Sequence, residues 1–212
     1  MNFSLFDAIL NPAYTMRTTW AVSKSDGICL EIGCNVGRMT ALLAKNHYVV
    51  AGDVNPQFFE NMKRKSISYL ENIDFMIFDT NNLPFRDGSF HTVLVIDVLE
   101  HLKNPINALR EARRVGKEKI LVNVPNYDFA TVLYPNMLPE HFNEPTHQQR
   151  TNVKILKQWL KNITFTKASI YGSYIPLPLP LIPISFLLEY ILKALHAEPT
   201  RIHFQISCEI LL

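Results

Sequence analysis

LEIGCNVGRMT, Leu30 to Thr40, decides how the rest of the chain is read. It has the form of a buried strand (Ile28, Leu30, Ile32), a tight glycine turn and the first turn of a helix. Gly33 and Gly37 carry no Cβ, so the backbone there can take positive φ and bring its amides close to a ligand. Glu31 sets an acid at the carboxyl end of an apolar strand, where packing alone has no use for one. Strand, glycine turn and helix N-terminus in that order suit a nucleotide-like ligand on an open α/β sheet. An ordinary strand-to-helix turn is the plain alternative for so short a motif.

Outward from this stretch the chain alternates strand and helix. Upstream, Phe3, Phe6, Ile9 and Leu10 fall at helical spacing, followed by Tyr14 and Trp20, and Pro12 is expected to interrupt the helix. Residues 1–25 therefore read as an irregular helical arm packed on the core. Downstream, Gly37 to Lys45 is predicted as a short helix, Tyr48 to Gly52 as a second strand, and Pro56 to about Tyr69 as a helix opened by its proline. Ile73–Phe78, Ser89–Ile96 and Lys119–Val124 read as further strands. The run Val93-Leu94-Val95-Ile96 is that of a strand covered on both faces. A helix from Pro105 to Val115 precedes the fifth strand; Val153–Lys161 adds a helix, and Phe165–Tyr171 and Ile202–Leu211 add strands. Such alternation, at spacings too long for hairpins, implies right-handed crossovers. The expected fold is α/β and doubly wound, a Rossmann-like, mostly parallel seven-stranded sheet with helices on both faces, in a single domain over residues 1–212.

Composition narrows the function classes. With 212 residues, 48% hydrophobic and 19% charged, the chain can bury a core and is too apolar for disorder. The formal charge is +2 and the longest basic run is Lys63-Arg64-Lys65, so no nucleic-acid partner is expected. Cys29, Cys34 and Cys208 make neither a disulfide framework nor a CxxC pair; reduced thiols and a cytoplasmic location are expected. MNFSLFDAIL lacks the basic and apolar regions of a signal peptide.

A nicotinamide or flavin fingerprint needs glycines at the first, third and sixth positions. Counted from Gly33, those places hold Asn35 and Arg38, which argues against a dinucleotide. The chain instead resembles the class I S-adenosylmethionine-dependent methyltransferases, whose first motif is an acid followed by alternating glycines, as in Glu31, Gly33 and Gly37. Asn35 replaces the middle glycine, and asparagine tolerates left-handed backbone better than other side chains. The resemblance continues in register over residues 27–126. It implies that Asp53 in VVAGDVNP meets the ribose hydroxyls and Asp79 in FDTNNLPF the adenine amino group. It further implies cofactor contacts from Cys34, Val54, Thr80 and Asp97. The run LPFRDGSFHTVLVIDVLEHL, Leu83 to Leu102, and ILVNVPN, Ile120 to Asn126, are similar to the fourth- and fifth-strand regions of the small-molecule branch. His91 stands where the family has Asp and reads as a capping or surface residue.

S-adenosylmethionine as methyl donor leaves the protein to orient an acceptor and, for some acceptors, to take a proton. Glu100 and His101 in IDVLEHL are the candidates, His101 as a base because its ordinary pKa lies near neutrality. In ubiquinone-pathway O-methyltransferases and small-RNA 2′-O-methyltransferases, which this region resembles, an acid-x-x-Glu-His pattern can hold a divalent metal. Asp97, Glu100 and His101 with His141 or His147 would be the equivalent set, a less favoured option than a metal-free site. Residues 127–150 read as a substrate-side loop rich in aromatics and histidine. Residues 175–195, IPLPLPLIPISFLLEYILKAL, read as a lid or packing insert; its prolines confine any helix to Ile184–Leu195, too short to cross a bilayer. Membrane contact is less favoured because no basic face accompanies the apolar one. The expected acceptor is a small or lipid-like molecule. A non-catalytic, cofactor-binding scaffold subunit is the rival from another class, and the oligomeric state stays open.

Overall fold

A computed structural model describes residues 12–57, 70–129, 142, 144–173, 184, 187, 191 and 203–212. Within them the chain forms α1 (Pro12–Lys24), β1 (Cys29–Ile32), α2 (Arg38–Leu43), β2 (Val49–Asp53), β3 (Ile73–Ile77), β4 (Phe90–Ile96), α3 (Pro105–Val115), β5 (Gly116–Pro125), α4 (Val153–Leu160), β6 (Lys167–Ser173) and β7 (Gln205–Leu211). The seven strands make one sheet in the order β3-β2-β1-β4-β5-β7-β6. β1 to β5 are parallel, and β7 runs antiparallel between β5 and β6. This is the expected doubly wound α/β architecture.

The alternation of side chains along each strand builds two cores. On one face Leu30, Ile32, Val93, Val95, Ile120 and Val122 pack with Leu109 and Ala112 of α3 and Leu156 and Trp159 of α4. On the other, Cys29, Val49, Ala51, Leu94, Ile96 and Leu121 pack with Trp20 and Ala21 of α1 and Met39 and Leu43 of α2. Helices thus cover both faces. Asn104 caps α3 by accepting from the Asn107 amide at 3.3 Å, ahead of Pro105 at the first turn, and Asn152 caps α4 by accepting from Ile155 at 2.9 Å.

Pro12 stands at the first turn of α1, where no backbone donor is needed, and the helix runs regularly from it to Lys24; the interruption expected at Pro12 also involves residues 1–11, which lie outside the described residues. The helix expected from Pro56 to Tyr69 lies outside the described residues after Gln57, as do residues 1–11 of the arm. Of the 175–195 stretch, Ile184, Leu187 and Ile191 are described: all three are helical and exposed. Among the described residues no helix is long and apolar enough to cross a membrane.

Candidate active site

The turn between β1 and α2 is held open by left-handed backbone. Gly33, Asn35 and Gly37 have φ of 75°, 47° and 70°. Asn35 therefore adopts the conformation that a glycine would, and its side chain is one of the few that tolerate it. The amides of Gly33 and Cys34 both donate to the Gly52 carbonyl, at 2.8 and 3.0 Å, which ties the turn to β2. Asp53, at the end of β2, accepts from the Asn35 amide at 3.1 Å and, through its other oxygen, from Asn55 at 3.0 Å. Beneath the turn, buried Glu31 accepts from the Thr40 hydroxyl at 2.6 Å, joining β1 to α2. Burial pushes its carboxyl up to about 8, against the Thr40 hydrogen bond, and Asp53 adds to the rise. Cys29, Cys34 and Cys208 are free and buried, and burial raises all three thiols, Cys29 to about 12. These thiols are packing groups.

Above the turn lies a cavity of about 420 Å³, whose walls include Glu31, Gly33, Cys34, Asn35, Ile96 and Asp97. Its other side comes from Tyr14, Arg17 and Thr18 of α1 with Arg38 and Met39 of α2. Arg17 makes an ion pair of 2.7 Å with Asp97, and the Arg17 and Arg38 guanidinium carbons stand 5.0 and 5.9 Å from the centre of the Tyr14 ring. Asp97 has φ of 52°, a strained value for a side-chain-bearing residue, and its buried Oδ1 finds no hydrogen-bond partner among the described residues. The α1 residues were not singled out in the sequence. Tyr14, Arg17, Thr18 and Ala21 do fall at i, i+3, i+4 and i+7, a one-sided spacing that was available as a signal.

A second cluster stands at the same carboxyl edge. Glu100, with no exposed surface, shares a donor cluster with His101 and His147, their ligating atoms all within 4.8 Å of one another. Both Glu100 carboxyl oxygens lack a hydrogen-bond partner among the described residues. Burial, and secondarily the charge of Asp97, holds this carboxyl well above the usual carboxylate range. The His101 and His147 rings meet edge to face at 4.6 Å. His101 Nδ1 is 3.0 Å from Thr146 Oγ1, and His147 Nδ1 is 2.8 Å from the Tyr127 hydroxyl. The loop is fastened here by the amides of Gln148 and Gln149, which donate to the Glu100 carbonyl at 2.8 and 3.0 Å. Tyr127, Phe129, Phe142 and Phe204 form an aromatic cluster beside it.

The remaining sequence candidates fall around these two centres. Gly37 lies within the turn. Val54, next to Asp53, is 74% exposed. Asp79 accepts from the Asn81 amide at 2.8 Å in a local turn beyond β3, and neither it nor Thr80 belongs to the cavity wall. Asp97 pairs with Arg17 rather than joining Glu100 and His101, and His147 takes the place beside them; His141 lies outside the described residues. His91 caps β1, its Nδ1 accepting from the Ile28 amide at 3.1 Å.

Residues 30–120, the span that holds the turn, both strand-end acids and the Glu100–His101 pair, match the model of a methyltransferase domain. That span carries the pattern of a methyltransferase domain. The chain is 31% identical to norajmaline N-methyltransferase of Rauvolfia serpentina over 98 residues, 44% of this chain and 34% of that one. It is 30% identical over 97 residues to a ubiquinone/menaquinone biosynthesis C-methyltransferase of Rickettsia prowazekii, covering 42% of this chain and 39% of the other. The chain spans a third to about half the length of the curated relatives it matches here. In fold it is similar to a SAM-dependent methyltransferase of Thermotoga maritima, with a TM-score of 0.69 at 16% identity over 96% of this chain and 90% of that one.

Proposed function

We propose that this protein transfers a methyl group from S-adenosylmethionine to a small organic acceptor. The observation that carries the reading is the cavity of about 420 Å³ between the left-handed turn and Asp97, with Arg17 across from them. Its chemistry fits the amino-acid end of that cofactor. Asp97 offers a buried oxygen without a partner to an ammonium, and Arg17 offers a guanidinium to a carboxylate. A Cβ on Gly33 would approach Val98 Cγ2 to 2.6 Å, so the turn admits no larger residue there. Asp53 would hold the ribose through lone pairs that its two amide contacts leave over, Val54 would lie against the base, and Asp79 and Thr80 would meet its edge.

The cofactor supplies an electrophilic methyl on a sulfonium; this chain's share is to bind, orient and move a proton. Glu100 and His101 are assigned to the acceptor side. With Nδ1 of His101 engaged by Thr146, Nε2 is the nitrogen left to take the acceptor's proton. Tyr127 and His147 hold the loop against this pair. The relatives' names include both N- and C-methyltransferases, so the attacking atom is left to experiment. Calorimetry with S-adenosylmethionine and S-adenosylhomocysteine tests the reading and separates it from a scaffold role. Saturable binding of both is expected, with S-adenosylhomocysteine formed from S-adenosylmethionine once a methyl acceptor is added, which a scaffold would not do; silence at millimolar concentration would sink the reading.

A second reading, metal-assisted O-methyl transfer, is favoured by the Glu100, His101 and His147 cluster alone. One carboxylate and two imidazoles suit manganese, iron or zinc, which would polarise an acceptor oxygen. Activity undiminished after dialysis against excess chelator rules this reading out.

A further inference from the structure

The sheet face that carries the cavity changes character where β5 meets β7. On this face Leu94, Ile96 and Leu121 belong to the apolar cluster beneath α1, and Ile96 also lines the cavity. Across from Ile96 in register, the row continues with Asn123 of β5 and Ser207 of β7. The next pair on the same face is Gln205 beside Ser173 of β6. Asn123, Gln205 and Ser207 have no exposed surface and Ser173 has 1%. Asn123 Nδ2 donates to Ser207 Oγ at 2.9 Å, and the Ser173 and Ser207 hydroxyls are 2.6 Å apart. Asn123 Oδ1 and both amide atoms of Gln205 nevertheless find no hydrogen-bond partner among the described residues. Each such group costs about 1–3 kcal/mol when buried unpaired. Native proteins keep few of them, and here three stand in one row that begins beside the cavity wall.

We propose that this row recognises a neutral hydrogen-bonding group of the methyl acceptor, a hydroxyl or a carboxamide. The inference rests on the methyl-transfer reading and adds the acceptor's chemistry to it. The unpaired atoms are two carbonyl oxygens and one NH2, so a group that both donates and accepts can pair with each kind. A carboxylate would face two oxygens with nothing to give them, and an ammonium would leave the Gln205 NH2 unpaired. No charged side chain belongs to the row, so an ionised group would be buried there without a counter-ion. Adjacent Asn123 is joined to the site through its carbonyl, which accepts from the Asp97 amide at 3.0 Å.

The test uses the full chain saturated with S-adenosylhomocysteine and the probes benzamide, benzyl alcohol, benzoate and benzylammonium, read by ligand-observed NMR. The neutral probes are expected to bind roughly tenfold or more tightly than the ionised ones, as a site built to hydrogen-bond discriminates. Gln205→Met should weaken the neutral pair by about tenfold while cofactor-product affinity stays within about twofold. Ionised probes binding as well as neutral ones, no probe binding at all, or neutral binding indifferent to Gln205→Met would each overturn the proposal. Thermal melting of the unliganded variant adds an independent readout. Removing an unpaired amide should leave the melting temperature unchanged or raised, whereas a fall beyond about 5 °C assigns Gln205 to a structural network, an ordered water included, and overturns it. Wild-type protein that fails to bind S-adenosylhomocysteine removes the methyl-transfer reading itself, and this one with it.

Discussion

Burial of Glu31 makes the stability of the fold depend on pH in one direction. In the folded chain its carboxyl keeps a proton up to about 8, whereas its ordinary value is 4.5. The folded state therefore holds an extra proton between those values. The stability associated with Glu31 is full below about pH 4.5 and is lost as pH rises through about 8. One such proton gives a slope of at most ~1.4 kcal/mol per pH unit. Melting temperature is expected to fall from about pH 5 to about pH 8, and to fall less in Glu31→Gln. An identical profile in the variant would mean that Glu31 is ionised in the fold. Asp53 is tested through the cofactor. Asp53→Ala removes the acceptor of the Asn35 and Asn55 amides together with the ribose contact, and should weaken S-adenosylhomocysteine binding by about 1–3 kcal/mol in calorimetry. Unchanged affinity would move the site elsewhere.

At the scale of the element, the β1–α2 turn is the part most sensitive to a single side chain. Because Asn35 already has φ of 47°, Asn35→Gly should leave denaturant stability within about 0.5 kcal/mol, and Asn35→Val should cost about 1–2 kcal/mol. The middle glycine missing from the motif was therefore a change of residue and not of backbone, which is why the motif remained readable. Other elements were readable because each carries its own punctuation. α3 runs from Pro105 to Val115 as expected, since Asn104 and Pro105 mark its start. β4 was recognisable from the unbroken apolar run of a doubly covered strand. The contribution of α1 to the site went unseen. Its cavity face is Tyr14, Arg17 and Thr18, and a search for apolar periodicity passes over polar side chains.

For the whole molecule, binding and folding are linked: saturation with S-adenosylhomocysteine at about 100 times its Kd adds ~2.7 kcal/mol. For a chain of this size that corresponds to a rise of roughly 5–10 °C in melting temperature, which a fluorescence melt will detect. Neither the strand order nor the direction of β7 was legible, because a strand buried on both faces has the same composition whichever way its neighbours run. His147 was named together with His141 as a possible partner of Glu100 and His101, but the choice between them was not legible, since it depends on the path of a loop and not on a local pattern. The position of β7 also governs the order of events during synthesis. β1 to β5 can pair as they leave the ribosome, but β6 emerges with no neighbour until residues 205–211 follow and slot in between it and β5. A nascent chain paused before β7 presents two open sheet edges at once, the state most exposed to mispairing. Hydrogen exchange on a chain ending at residue 202 should accordingly show β1 and β4 protected and the β6 amides unprotected.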